Sequence, residues 1–314
     1  MPGTPPTALS RAVAIAAVLT QAGIAVTGSV VRVTGSGLGC PTWPQCFPGS
    51  LVPRADPEVA TLHQWIEFGN RLLVGLVGLV GLTCLIVAVL GKPRRSRLVW
   101  LAAAMPAGVV AQAVLGGITV LAGLAWWTVA AHFLVSMVLV WLAVLLVAAM
   151  GEGDARPRWH LPGPLRGLLA TATTVLATLL VAGTLVTAAG PHAGDAATPR
   201  LAVSVSALAQ LHADLLAAFL GLLAGLGFAL RAAGVPGPTW RRYLLLLAAV
   251  LAQASLGVVQ YLTGVPEVLV SLHVLGAAVV VVAMAALWTS CRVRELLPAA
   301  VAAPPPLVRA GTTR

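Results

Sequence analysis

The sequence predicts an all-α integral membrane protein whose eight transmembrane helices form two pseudo-symmetric four-helix bundles, related as a parallel internal repeat. Composition is the first observation behind this prediction. Of 314 residues, 59% are hydrophobic and only 9% are charged, which is too little charge to cover a soluble domain of this size. The second observation is a series of eight apolar segments, and the third is a repeat that relates the two halves of the chain.

Each of the eight apolar segments is long enough to cross a bilayer, which takes about 20 apolar residues. We expect helices over residues 11–33, 62–90, 98–122, 126–149, 166–188, 203–230, 241–263 and 267–290. Pro106 lies inside the third segment, where a membrane helix tolerates a kink. The segments and their connections divide the chain into four parts: an N-terminal four-helix unit (1–150), a cytoplasmic linker (151–165), a C-terminal four-helix unit (166–292) and a disordered cytoplasmic tail (293–314).

Positive residues set the orientation in the membrane. All but four of the nineteen Lys and Arg residues lie in segments on the same side as the N-terminus, and an excess of Lys and Arg marks the cytoplasmic side. The exceptions are Arg32, Arg54, Arg71 and Arg200. We therefore predict a multi-pass protein of the plasma membrane with both termini in the cytoplasm. Because the positive charges lie mostly in loops on one side, the net charge of +10 indicates the lipid bilayer and no nucleic-acid partner.

A repeat relates the two halves of the chain. The segment AQAVLG at residues 111–116 matches AQASLG at 252–257, and the same shift of 141 residues places His132 on His273. Because both halves begin on the same side of the membrane, they are parallel repeats about an axis normal to the bilayer.

Two further matches extend the repeat toward the first two helices of each half. Residues 28–31 match residues 183–186, and a shift of 142 residues places Asn70 on His212. The second half therefore has a histidine on both its second and its fourth helix. The first half has Asn70 and His132 at the equivalent places.

His212 and His273 lie at matched depths, roughly 9–14 Å below the outer surface at about 1.5 Å per helical residue. They can face each other across the core of a four-helix bundle, where cofactor sites are commonly built. Two imidazoles without an acidic or thiolate companion suit iron in a porphyrin. The alternative is a pair of polar histidines that only hold helices together.

The first half offers one imidazole, His132, which faces Asn70. An amide is a poor iron ligand, so a haem there would be five-coordinate or weakly held on one side, as needed by a site that does chemistry or by one that must release its haem. Glu67 lies one turn nearer the outside on the same helix face, where a carboxylate could move protons. The alternative is an ion pair between Glu67 and Arg71, four residues apart, that neutralises both charges in the membrane.

Cys40 and Cys46 share the outer loop after the first apolar segment. A pair at this spacing on the oxidising face can close a disulfide, which predicts a stapled loop over the outer mouth of the first unit. A redox role in passing electrons is the alternative. His192, in a second outer loop, is a further candidate to gate or line a pocket.

These features together resemble the haem A synthase family, the membrane enzymes that make haem A for cytochrome oxidases, and they look most like its actinobacterial-type members. The resemblance covers essentially all eight helices. It rests on RVTGSGLGCPTWPQC at residues 32–46, EFGNR at 67–71, His132, QLHAD at 210–214, and His273. The chain departs from the family where it has Asn70, since many members have His there, and where it has Thr42, since many have Asp.

The resemblance implies an oxidoreductase, a haem O methyl hydroxylase that converts a methyl group of haem O to a formyl group by successive hydroxylations with dioxygen. It implies haem b, with its iron, as cofactor, and an electron donor that is a quinol or another reductant. Haem O synthase is a candidate partner. Cys40 and Cys46 correspond to the family's outer-loop cysteine pair.

The resemblance also implies which residues act. In the second unit, His212 and His273 would bind the iron of haem b. In the first unit, the substrate haem would lie among Glu67 as the catalytic acid, His132 as the ligand of the substrate iron, Asn70 and Arg71.

Two other classes of function compete with this interpretation. A dihaem electron-transfer cytochrome without haem-modifying activity would be favoured by ligands near both membrane faces, but the candidate ligands all lie in the outer half. A transporter is the third possibility, because parallel repeats are common in transporters. The chain lacks Gly- or Pro-broken half-helices in matching places, so we rank it last.

Overall fold

The computed structural model describes residues 8–295. Within them it has eight α-helices, each long and apolar enough to cross a membrane, which confirms the predicted set of eight helices. They are α1 (Ala8–Val33), α2 (Thr61–Leu90), α3 (Ser96–Leu121), α4 (Trp126–Gly151), α5 (Gly163–Ala189), α6 (Val205–Ala232), α7 (Gly237–Leu262) and α8 (Glu267–Ser290). The helix ends lie within a few residues of their predicted positions.

The connections between helices lie alternately on two sides of the helical layer. We call one the loop side, which carries the long connection between α1 and α2 (residues 34–60) and the connection between α5 and α6 (190–204). We call the other the linker side, which carries the connection between α4 and α5 (152–162). Two short strands there, β1 (Arg158–Trp159) and β2 (Arg292–Val293), pair antiparallel.

The repeat is visible in the turns on the loop side. The turn between α3 and α4 places Gly123 and Leu124 at φ of 60°, and the turn between α7 and α8 places Gly264 and Val265 at φ of 80° and 60°. A branched or bulky residue with positive φ is rare. Two such residues at the same offset of 141 therefore mark the same turn built twice.

A side-chain contact repeats in the same way. The amide of Gln112 on α3 donates from Nε2 to the carbonyl oxygen of His132 at 3.0 Å. The amide of Gln253 on α7 donates to the carbonyl oxygen of His273 at 2.8 Å. In each half a glutamine thus fixes the third helix against the histidine-bearing fourth helix.

The two halves pack differently. Helices α1 to α4 each pack along their chain neighbours, and α1 also packs along α4, so the first four helices form a closed bundle. In the second half α5 packs along α6 and α7 along α8, whereas α6 has few contacts with α7. Helix α8 lies instead against α1 and α4 of the first half. The arrangement of the second half as a bundle equivalent to the first therefore stays a prediction.

The linker-side half of each unit is a packed apolar core. In the first unit this core contains Ala17, Cys84, Ala102, Met105 and Leu146. In the second it contains Leu169, Phe219, Leu226, Leu246 and Met284.

The linker side is also tied by polar contacts. Arg97 forms an ion pair with Glu152 at 2.6 Å, which joins the start of α3 to the end of α4. The pairing of Arg158 with Val293 shows that ordered structure continues into the segment predicted as a disordered tail. The rest of that predicted tail, from residue 296, lies outside the described residues.

Candidate functional site

The loop-side half of the second unit contains an opening between α6 and the α7–α8 pair. On α6 the buried residues begin at Phe219, and on α7 they end at Val250. Residues 205–218 and 251–262 are at least partly exposed, although both belong to apolar helices. A bundle that is packed in one half and unpacked in the other has room between its helices for a ligand.

The two predicted histidines face each other in this opening. The ring centroids of His212 on α6 and His273 on α8 are 6.5 Å apart, and the ring planes make an angle of 56°. An iron about 2 Å from each ligating nitrogen would separate two ring centres by roughly 6 Å. The pair therefore has the spacing of two imidazoles that share one metal.

Each ring packs against a glycine of the preceding helix. A Cβ added to Gly183 on α5 would lie 3.1 Å from Cε1 of His212, and a Cβ added to Gly257 on α7 would lie 3.1 Å from Cε1 of His273. Even a single Cβ at either glycine would require the ring to shift by a few tenths of an ångström. These glycines set where the imidazoles can stand.

The hydrogen bonding of the rings does not explain why histidine is present. Nδ1 of His212 and Nδ1 of His273 are buried and have no hydrogen-bond partner among the described residues. The carbonyl of Leu179 lies near the His212 ring but does not meet hydrogen-bonding geometry with Nδ1. Buried polar atoms are normally satisfied, so a pure helix-tethering role fits these rings poorly.

The first unit contains a related but different site. His132 on α4 packs against Gly116 on α3, where an added Cβ would lie 3.3 Å from Cε1 of the ring. Its Nδ1 is also buried without a partner in the described chain. Asn70 stands on α2 at the place of His212, and its Oδ1 accepts a hydrogen bond of 2.7 Å from the Thr27 hydroxyl on α1.

Glu67 and Arg71 form an ion pair at 2.5 Å, as the second of the two interpretations predicted. Glu67 is only 5% exposed, and its second oxygen accepts the backbone N–H of Cys40 at 2.7 Å. Arg71 donates to the carbonyl oxygens of Cys40, Thr42 and Gln45 at 2.7, 3.0 and 3.2 Å. The pair therefore anchors the outer loop to α2. A catalytic role of Glu67 stays a prediction.

The Cys40–Cys46 disulfide is present, which confirms the stapled loop. Both cysteines are fully buried and pack with Phe47 and with Phe68 of α2. The ring of Trp43 lies against α3 so closely that a Cβ added to Gly117 would be 2.5 Å from it. The loop therefore closes the loop side of the first unit. The connection of the second unit, residues 190–204, carries no such staple.

His192 joins the two units rather than lining an opening. Its Nε2 lies 2.9 Å from the carbonyl oxygen of Val265, and its own carbonyl accepts a hydrogen bond of 2.5 Å from Arg32 on α1. These contacts link the α5–α6 connection to the α7–α8 turn on one side and to the first unit on the other.

The sequence predicts Asn70, His132, His212, His273 and the Glu67–Arg71 pair as site residues. It does not predict Thr27, Trp43 or the glycines that pack against the rings. The internal repeat contained a signal for all three of these glycines, since Gly116 and Gly257 end the matching hexapeptides and Gly183 begins the segment that matches residues 28–31. No pattern in the chain pointed to Thr27.

Residues 11–285 match the model of a protein family, COX15-CtaA, described as cytochrome oxidase assembly protein. The match begins in α1 and ends in α8, so it includes all the positions discussed above.

Individual relatives match shorter parts. A haem A synthase of Lysinibacillus sphaericus is 35% identical over 150 residues, which are 46% of this chain and 45% of that protein. A haem A synthase of Geobacillus kaustophilus is 30% identical over 130 residues, 40% of this chain and 38% of that protein. A protohaem IX farnesyltransferase of Thermus thermophilus is 42% identical over 72 residues, 23% of this chain and 11% of that protein. The chain thus spans less than half the length of these relatives.

The anchoring role of Glu67 can be tested with the disulfide as a reporter. In Glu67→Ala, Arg71 and the Cys40 N–H both lose their acceptor, and breaking one partner of a buried ion pair costs about 3–5 kcal/mol. We expect the lower end, because Arg71 keeps its carbonyl contacts. The folded protein in detergent should then lose the disulfide to a water-soluble phosphine at least ~10-fold faster, since local opening becomes easier. The exposed Glu58→Gln in the same loop is the control, and an unchanged rate in Glu67→Ala would contradict the anchoring role.

Proposed function

We propose that this chain, which belongs to the cytochrome oxidase assembly family COX15-CtaA, acts in haem A synthesis as a membrane oxidoreductase. Its reaction would convert a methyl group of haem O to a formyl group by successive hydroxylations with dioxygen. The single observation that carries the proposal is the pair His212 and His273, facing each other at 6.5 Å in a bundle half that is unpacked. The names of the two haem A synthase relatives support the choice of reaction.

Haem b would be held in the loop-side opening of the second unit. His212 and His273 would bind its iron from α6 and α8, and the apolar helix faces between them would enclose the macrocycle. When bound, this group supplies one-electron transfer. Gly183 and Gly257 would give the two rings room to stand at a distance suited to one metal, because only backbone lies behind each ring.

Haem O would bind as the substrate in the first unit. His132 would hold its iron, with Asn70 on the opposite helix and Arg71 nearer the loop side. The disulfide loop, held down by Arg71, excludes water from that side of the site. A dry site strengthens the electrostatic interactions inside it.

Glu67 would move protons for the hydroxylation steps. Each hydroxylation consumes dioxygen, electrons and protons and releases water, so the site needs a proton path from the aqueous side. Glu67 lies on α2 one turn from Asn70, and its carboxylate contacts the loop backbone at Cys40. It is thus the acidic group between the loop side and the substrate position, at a place where the second unit has Ala209.

The partners and the membrane placement belong to the same proposal. The reductant would be a quinol or another donor, and haem O synthase would supply the substrate. The segment shared with a protohaem IX farnesyltransferase supports that partnership. The protein would lie in the plasma membrane, and the positive-residue distribution supports placing both termini in the cytoplasm.

A second candidate function is a dihaem electron-transfer cytochrome that does not modify haem. One observation favours it: both carboxylate oxygens of Glu67 are engaged by Arg71 and Cys40, as in a structural ion pair. The two functions differ in the haems that accumulate in cells.

The resident haem should depend on both histidines of the second unit. We expect the purified protein to show a low-spin haem spectrum that is lost in His212→Ala and in His273→Ala, because one imidazole leaves an axial position empty. Absorption spectra before and after reduction measure this. The exposed linker residue His160 offers a matched control, and His160→Ala should keep the spectrum. An unaltered low-spin spectrum in either ligand variant would remove that histidine from the site.

Chemistry at the first unit should depend on the charge of Glu67. The Glu67→Gln variant can still accept the Cys40 N–H, so we expect it to keep the haem b spectrum while conversion of haem O falls by at least ~100-fold, the scale of a lost proton-transfer group. Chromatography of haems extracted from cells that carry only this variant measures the conversion. Full haem A in those cells would show that Glu67 is not needed for the conversion. If haem A also persists in cells without the protein, the second candidate function is favoured.

A further inference from the structure

We infer that Thr27, Gly28 and Asn70 form a pocket for a diatomic ligand such as dioxygen, opposite His132, and that no protein atom closes this position on the substrate iron. The inference rests on the proposed function, because it concerns the haem O that would bind in the first unit. It adds a specific role for three residues on α1 and α2 that act together.

The first observation concerns the glycines that face the site residues. In three places a glycine lies directly behind a histidine ring: Gly116 behind His132, Gly183 behind His212 and Gly257 behind His273. Gly28 is the fourth member of this set, because residues 28–31 align with residues 183–186. A Cβ added to Gly28 would meet nothing within 4 Å. The hollow that holds a ring at the other three positions is therefore free of protein atoms at the fourth.

A second difference accompanies the missing ring. The residue before the glycine is Ala182 in the second unit, where it is buried at 4% exposure, and Thr27 in the first unit. The Thr27 hydroxyl has two acceptors within reach, Oδ1 of Asn70 at 2.7 Å and the carbonyl oxygen of Ile24 at 3.1 Å, and the bond to Asn70 is the shorter. The pair of alanine and histidine is thus replaced by a pair of threonine and asparagine that bind each other.

This hydrogen bond decides what the Asn70 amide can do. The amide nitrogen has no acceptor lone pair, so Oδ1 is the atom through which Asn70 could bind a metal. Thr27 engages that oxygen, so Nδ2 is the end of the amide that is left to donate. Among the described residues Nδ2 has no hydrogen-bond partner. Asn70 is therefore arranged as a donor and not as an iron ligand.

A hollow lined by one N–H donor suits a small polar ligand. Hydrogen-bond donors and steric access on the side opposite the protein ligand decide whether a haem binds a diatomic molecule or only transfers electrons. In the second unit the same position is filled by a histidine. In the first unit the space beside Gly28 and the free amide protons of Asn70 would accept a diatomic ligand on the iron held by His132.

Carbon monoxide reports directly on an open coordination position of the iron, because a haem with two histidine ligands has no open position. The full chain with its resident haem is loaded with haem O, reduced, and titrated with carbon monoxide while the absorption spectrum is recorded. We expect a carbon monoxide adduct that disappears in His132→Ala, whereas the resident haem does not react.

Variants at the pocket distinguish a position on the iron that a side chain closes from a site that the substitution has damaged. Asn70→His should weaken carbon monoxide binding by at least ~10-fold, because the new ring can enter the hollow beside Gly28 and bind the iron. Asn70→Ala should keep the binding, since the position stays open.

The outcomes distinguish this inference from the proposed function. If haem O binds in a His132-dependent way and is low-spin and unreactive toward carbon monoxide, the pocket is wrong and the substrate site stands. If Asn70→His binds carbon monoxide as the wild type does, the hollow does not admit a ring and the inference is overturned. If haem O does not bind to the first unit while the resident haem is intact, the proposed function fails and the inference fails with it.

Discussion

The contact between an imidazole and a facing glycine is the constraint on which both sites depend. A histidine ring inside a bundle of apolar helices needs space that a side chain on the next helix would fill. In this protein Gly116, Gly183 and Gly257 provide that space, each on the helix before the histidine. The glycines also fix where each ring stands, because helix backbones do not yield as flexible side chains do. The separation of His212 and His273 follows from this arrangement.

The closure of the first unit depends on a buried ion pair. Charges at membrane depth are costly unless they are paired, and Glu67 and Arg71 meet this cost by binding each other and the backbone of the disulfide loop. The loop then packs Trp43 onto α3 and closes the loop side of the bundle. The second unit has neither the ion pair nor the staple, and its helices α6 and α7 are separated there. The loop side is therefore closed in the first unit and open between α6 and α7 in the second unit.

The helices and the repeat could be predicted because both follow from side-chain pattern alone. Eight apolar runs define the spans, and matching hexapeptides at 111–116 and 252–257 reveal the duplication. The disulfide was predictable from two cysteines in one loop. The contacts of Arg71 were not, because carbonyl oxygens leave no mark in a sequence. The bond between Thr27 and Asn70 joins residues 43 positions apart, and the separation of α6 from α7 is a matter of packing between whole helices.

We propose that the duplicated units have diverged into one site with two histidine ligands and one site with a single histidine and an open position. Electron paramagnetic resonance of the oxidised full chain, with both units loaded, distinguishes the two sites. We expect a low-spin signal from the haem between His212 and His273 and a separate high-spin signal that disappears in His132→Ala. Two low-spin signals would contradict it, because the first unit would then supply a second strong ligand.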